Sequence, residues 1–119
     1  MASAMHEING EVLSSARSYS LSTPYEETAG LVFSFDKLYF YPMRNFSFNK
    51  VSHFSLHSRT LLLRSKIHSV FHSHPTSDAY PSERDISVSS YTGLPFLIYS
   101  CLYDNFLFFD TQECNVVRE

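Results

Sequence analysis

The stretch "FHSHPTSDAYPSERD", residues 71 to 85, sets two histidines, His72 and His74, one residue apart before a proline. Ser82 and Asp85 follow at short range. On an extended segment, side chains two apart project to the same face, so His72 and His74 can converge on one ion. Imidazole nitrogens hold zinc at about 2.0–2.1 Å. Pro75 has no amide proton to give to a ladder and ends such a strand. After the loop "TSDAYP", "SERD" reads as a helix start: Ser82 as N-cap, Asp85 near the positive end of the dipole, Pro81 just outside. A loop of that length can fold the helix start back over the strand end, and Asp85 then supplies a third, carboxylate ligand. Three protein ligands leave a fourth position for water, the arrangement of catalytic rather than structural zinc. The plainer reading makes the histidines polar strand residues and explains Ser82 and Asp85 as caps without a metal. The two readings of Ser82 are compatible, because a cap residue can also face a metal.

Outward from this stretch, "IHSVFHSH" is rich in strand formers, and "SERDISVSSYTG" fits a helix begun by Ser82 and stopped at Gly93. "LPFLIYSCLYDNFLFFD" reads as two strands around an Asp104-Asn105 turn. Upstream, "HEINGEVLSSARSYSL" places Ile8, Val12, Leu13 and Ala16 on one face of a first helix that ends before Pro24. "GLVFSFDKLYFYPMRN" reads as a hairpin. Leu31, Phe33 and Phe35 alternate in its first arm, Asp36-Lys37 turns, and Leu38 to Tyr41 return. "HFSL", residues 53 to 56, fits a short strand, and "SRTLLLRSK" fits a helix or a strand. Helices and strands mix without regular β-α-β alternation. The expected class is α+β, with a mostly antiparallel or mixed sheet.

The chain has 119 residues, of which 44% are hydrophobic and 16% aromatic. That suffices for one domain with one core, spanning residues 1–119. The net charge of −3 and the lack of a basic patch argue against nucleic acid or an anionic membrane as partner. No apolar run approaches the ~20 residues of a membrane span, and "MASAMHEINGEV" lacks the features of a secretory signal. Cys101 and Cys114 show no C-x-x-C spacing, so a reduced intracellular protein is the simpler expectation.

The pattern His72-Ser73-His74-Pro75, a short spacer, then Ser82-x-x-Asp85 resembles the JAMM (JAB1/MPN/Mov34) metalloprotease motif. That family also uses a glutamate far upstream, in a segment after the first helix. In "PYEETAGLVF", aligning Gly30-Leu31 places Glu27 on that glutamate, with Ala29 where Cys is frequent and Glu26 out of register. "RNFSF" and "TGLPFLIYS" look like further family segments, so the resemblance runs from the first helix to about Asp110. It implies a curved sheet flanked by helices, the cytidine deaminase-like architecture, holding one catalytic zinc. It implies His72, His74 and Asp85 as ligands, Glu27 as general base and then acid, and Ser82 as hydrogen-bond donor to the developing oxyanion. His6, His53, His57 and His68 lack ligand spacing to the motif and are expected to be structural or at the surface. His68 would share the face of His72, further from the metal. Asp78 and Tyr80 lie in the loop over the site, where they can touch substrate; the plainer reading of Asp78 is a solvated loop carboxylate.

The short spans from Leu56 to His72 and from Asp85 to the final strands leave little room for the insertions that grip ubiquitin in eukaryotic members. The compact form resembles prokaryotic and phage members, above all the JAMM domain of phage tail assembly proteins. The resemblance thus implies a peptide or isopeptide substrate, with other tail proteins as partners. The location would be host cytoplasm or virion tail for a phage protein, and cytoplasm otherwise. The alternatives are a structural tail-tip component with a dispensable site, and a stand-alone bacterial enzyme acting on ubiquitin-like or sulfur-carrier proteins.

Overall fold

The computed structural model describes residues 8–43, 65–110 and 113–117. Helix α1 (Gly10–Ser22) begins at Asn9, whose side chain accepts the Val12 amide at 3.0 Å. Glu11 in the first turn suits the positive helix end. Val12, Leu13 and Ala16 are buried together with Ile8, the face read from the sequence. Strands β1 (Ala29–Ser34) and β2 (Leu38–Met43) form the expected hairpin. Strand β3 (Ile67–His74) precedes helix α2 (Glu83–Thr92), followed by β4 (Phe96–Ser100), β5 (Asn105–Asp110) and β6 (Glu113–Val117). The six strands form one sheet in the order β2-β1-β3-β4-β5-β6. Only the β3–β4 pair among these is parallel. The architecture is α+β with a mixed sheet, as the sequence implied.

Alternation along each strand sends neighbouring residues to opposite sides of this sheet. On one side Val32, Phe71, Leu97, Tyr99, Phe106 and Phe108 pack with Val12, Leu13 and Ala16 of α1. On the other, Leu31, Val70, Phe96, Ile98 and Phe109 pack beneath Ala79, Val88 and Leu94 of the β3–β4 connection. Each helix therefore covers its own face. On the α1 side, Arg17 donates to Asp104 at 2.9 Å, and the Tyr99 hydroxyl donates to the same carboxylate oxygen. This joins the helix to the β4–β5 turn, where Asp104 adopts a positive φ of 52°.

The structure differs from the sequence reading in several places. The alternation of Leu31, Phe33 and Phe35 identifies only one face of β1. The strand is buried continuously from Ala29 to Val32, because it lies between β2 and β3 with both faces covered. Phe33 is half-buried and Phe35 is exposed beyond the strand end. The return strand runs two residues past Tyr41, and the β4–β5 turn occupies 101–104, so Asn105 already belongs to β5. The stretch "ECNVV" has neither a turn signal nor clear alternation, and its pairing with β5 is what makes it strand β6. His68 does not share the face of His72. The β1–β3 register shifts between Val32 and Phe33, whose partners are Ser69 and Ile67. The extra residue reverses the alternation. The His68 ring lies 5.7 Å from that of Phe108, on the α1 side, while Ile67 joins the opposite cluster. Cys101 and Cys114 are free and half-buried, packed against opposite clusters. The readings made for 53–56 and for most of 58–66, and for His6, His53 and His57, lie outside the described residues.

Gly30 marks the tightest approach of β1 to β2. A Cβ there would stand 2.6 Å from the Tyr41 carbonyl oxygen and 2.9 Å from the Phe40 ring. Backbone cannot retreat as a side chain can, so Gly30→Ala is expected to destabilise the fold by about 1–3 kcal/mol. Thermal denaturation checks this as a lower Tm.

Candidate metal centre

β3 ends in His72-Ser73-His74, and its side chains alternate. Both histidines face the side covered by the β3–β4 connection, and both are buried, as is Asp85. Asp85 arrives from α2. Its position follows from a reciprocal cap: Ser82 Oγ accepts the Asp85 amide at 3.1 Å, and Asp85 Oδ2 accepts the Ser82 amide at 3.0 Å. At the other end Gly93, at φ 72°, returns its amide to the Ser89 carbonyl. The cap thus aims a carboxylate at the strand. Asp85 Oδ2 lies 3.1 Å from His74 Nε2, and Oδ1 lies 3.5 Å from His72 Nδ1.

One donor atom from each of His72, His74 and Asp85 lies within 4.8 Å of the others. Asp85 Oδ1 is buried and accepts no hydrogen bond from any described residue. A buried carboxylate oxygen in that state is costly unless a cation or a proton reaches it. Two imidazoles and one carboxylate are a donor set suited to zinc and related divalent ions. The three residues therefore fit a metal. His74 is held for this by a contact that the sequence does not reveal, its Nδ1 lying 2.7 Å from the Asp78 carbonyl oxygen. The ring nitrogen that donates there leaves Nε2 to face the cluster, the usual way a ligand histidine is oriented. Asp78 thus meets His74 through its backbone, while its side chain accepts the Tyr80 amide at 3.1 Å.

Glu27 lies just before β1, with Oε2 at 3.4 Å from His72 Nε2. Its carboxylate stands beside the three-residue cluster, outside it, and its side chain is 62% exposed. Glu26 is exposed as well. Ser82 is exposed at the mouth of the cluster, held by its cap contact. The structure so brings His72, His74, Asp85, Glu27 and Ser82 to one end of β3. The surrounding network includes groups that sequence reasoning did not single out. Ser100 donates to the Ser77 carbonyl at 2.7 Å and accepts the Tyr103 amide at 3.0 Å, fixing the loop after Pro75 to the β4–β5 turn. A short polar residue at a strand end was the only available signal.

The contact with His72 holds the Glu27 carboxyl below its ordinary pKa. Burial pushes Asp85 upward, but hydrogen bonds from His74 and the Ser82 amide outweigh it, and the net shift is downward. Burial likewise pushes His74 downward, and its bonds to Asp85 and the Asp78 carbonyl carry it above its ordinary value.

A family model, prokaryotic homologs of the JAB domain, matches residues 11–113, and the chain belongs to that family. The solution structure of protein DSY2949 from Desulfitobacterium hafniense has a similar fold. Its TM-score is 0.58 at 18% identity, over 91% of this chain and 86% of that one. No curated protein matches the chain. Among the described residues no helix is long and apolar enough to cross a membrane.

The shifts set opposite pH dependences for the two forms of the protein. Without metal, the His74 contribution is present below 6.5 and lost as pH rises through the raised folded value. That of Asp85 is present above 3.8 and lost as pH falls through the lowered one. The metal-free Tm should therefore decline as pH rises past 6.5. A metal needs His74 without its second proton, so its affinity should rise over the same range. Thermal scans with and without zinc across pH 5–9 (on the order of one scan per unit) check both signs.

Proposed function

We propose that this protein is a zinc-dependent amide hydrolase of the JAMM type, a metallopeptidase or isopeptidase. The observation that carries the reading is the convergence of three buried donors on one point, with the Glu27 carboxylate beside them. In this reading His72, His74 and Asp85 would hold the ion, with Glu27 and Ser82 at the same end of β3. A bound zinc supplies a charge that polarises a carbonyl and makes water a better acid.

The chain's own groups do the rest. Glu27 has its pKa held down by His72, so it is ionised at neutral pH and ready to accept a proton. It takes one from the attacking water and delivers it to the nitrogen of the leaving amine. Ser82 Oγ accepts the Asp85 amide in the cap, so its own proton remains available to donate to the oxygen of the scissile carbonyl as charge develops there. Partial exposure of Glu27 and Ser82 suits both to meet a substrate arriving from solvent, while burial of the donors shields the ion.

The substrate class in this reading is an extended peptide or an isopeptide-linked side chain. Only three residues, 93 to 95, separate α2 from β4, so that part of the site carries no inserted arm to grip a folded partner. This compactness supports a prokaryotic or phage setting over a eukaryotic one, and the setting proposed is a phage tail, with tail proteins as neighbours and substrates. Flanking tail genes would support that setting, and an adjacent ubiquitin-like gene would replace it with a stand-alone isopeptidase.

The assigned roles can be tested one by one. Protein purified without chelator should carry about one zinc per chain. His74→Ala should lose it and keep a cooperative thermal transition, because both apolar clusters are built without the donors. Glu27→Gln should retain zinc and lose about 10²-fold or more in kcat on a peptide that the wild type cleaves. Glu26→Gln should stay within about twofold on the same peptide, since the contact with His72 is made by Glu27. Full activity of Glu27→Gln would remove the proton-transfer role and leave only the metal site.

A further inference from the structure

Behind the histidines, on the α1 face, lies a set of buried hydroxyls that the proposed chemistry does not use. Ser73 sits between His72 and His74, so its side chain points away from them. It is fully buried. Its Oγ accepts the Thr28 amide at 2.8 Å and the Thr28 hydroxyl at 2.9 Å, while the Ser73 amide donates to the Thr28 carbonyl at 2.9 Å. Every polar group of Thr28 is thus engaged with one residue. The Thr28 hydroxyl also stands 3.1 Å from that of Ser20, which donates to the Ala16 carbonyl in α1. The segment between α1 and β1 is therefore tied at the helix and at the strand that carries the histidines. Glu27 is the last residue of that segment before the clamp.

We propose that Ser73 and Thr28 are positioning residues: their triple hydrogen bond sets where Glu27 stands relative to His72. Glu27 has a long, largely exposed side chain, and its carboxylate meets the cluster at 3.4 Å from His72. A side chain of that kind reaches a defined point only if its backbone is fixed. The clamp fixes it to the strand bearing the histidines, so carboxylate and imidazoles share one rigid frame. Apolar residues would fill the same buried space without lost hydroxyl solvation. Hydrogen bonds add direction, which packing alone does not. The consequence for catalysis rests on the reading of Glu27 as the proton carrier; the clamp itself does not.

The test separates the two. In metal-free protein, NOEs between the Glu27 γ-methylene and the His72 ring report the placement. They should be present in the wild type and in Thr28→Ser, which keeps the hydroxyl. They should weaken strongly in Ser73→Ala and in the isosteric Thr28→Val, with the fold retained in at least one of the two. NOEs of wild-type strength in a folded Ser73→Ala or Thr28→Val would overturn the proposal. On a peptide probe cleaved by the wild type, Ser73→Ala should lower kcat by about 10–10²-fold, with KM and zinc content little changed. In a Glu27→Gln background the same change should cost less than about twofold, because the residue acts through Glu27. An equal loss in both backgrounds would overturn it as well. A wild type with neither zinc nor peptidase activity would defeat the functional reading alone, and the NOEs would still decide the clamp.

Discussion

The parallel pairing of β3 with β4 is the constraint from which the rest follows. Val70 pairs with Phe96 and His74 with Ser100, so the two strands run side by side in the same direction. Parallel neighbours cannot be joined by a tight turn; the chain must cross back over the sheet. That crossing occupies residues 75 to 95 and lays Ala79, Val88 and Leu94 over one face of the sheet. It also brings the first turn of α2 to the carboxyl end of β3, where the histidines are. The other pairings are antiparallel and local in the chain, except that of β1 with β3. That one brings the segment before β1 to the same end of β3, and with it Glu27.

The polar end of β3 is expensive to build. Two imidazoles and a carboxylate are withdrawn from water at the margin of an aromatic core, and a group so placed needs partners. The protein meets the cost with backbone groups as well as side chains. The Ser82 amide and the Asp78 carbonyl hold Asp85 and His74. Helix capping and site geometry are here one set of contacts, since the carboxylate that closes the cap of α2 is the one aimed at the histidines. Asp85 Oδ1 is what the cap leaves over. A residue serving helix stability alone has no need to be buried against two imidazoles.

The two faces of the sheet divide the labour at this end of the molecule. The face under α2 gathers donors, and the face under α1 gathers hydroxyls that tie strands and helix together. Ser73 links the faces, because its neighbours on either side belong to one and its side chain to the other. This is a direct result of the twofold repeat of a strand.

Much of this was legible in the chain. The capping signals of α2 at Ser82 and Gly93, the apolar face of α1 and the spacing of His72, His74, Ser82 and Asp85 are local patterns, set by helix and strand periodicity and by the chemistry of short side chains. They determined the type of most elements, the α+β class and the candidate donors. What the local pattern could not decide was anything depending on which strand lies beside which. The continuous burial of β1, the bulge that turns His68 to the opposite face, strand β6, the Asp78 carbonyl behind His74 and the Ser73–Thr28 clamp all arise from pairings between distant segments. Glu27 and His72 lie 45 residues apart, like Thr28 and Ser73. Only the closing of β1 against β3 makes neighbours of them, because hydrogen-bond register is a property of two strands together and is written in neither alone.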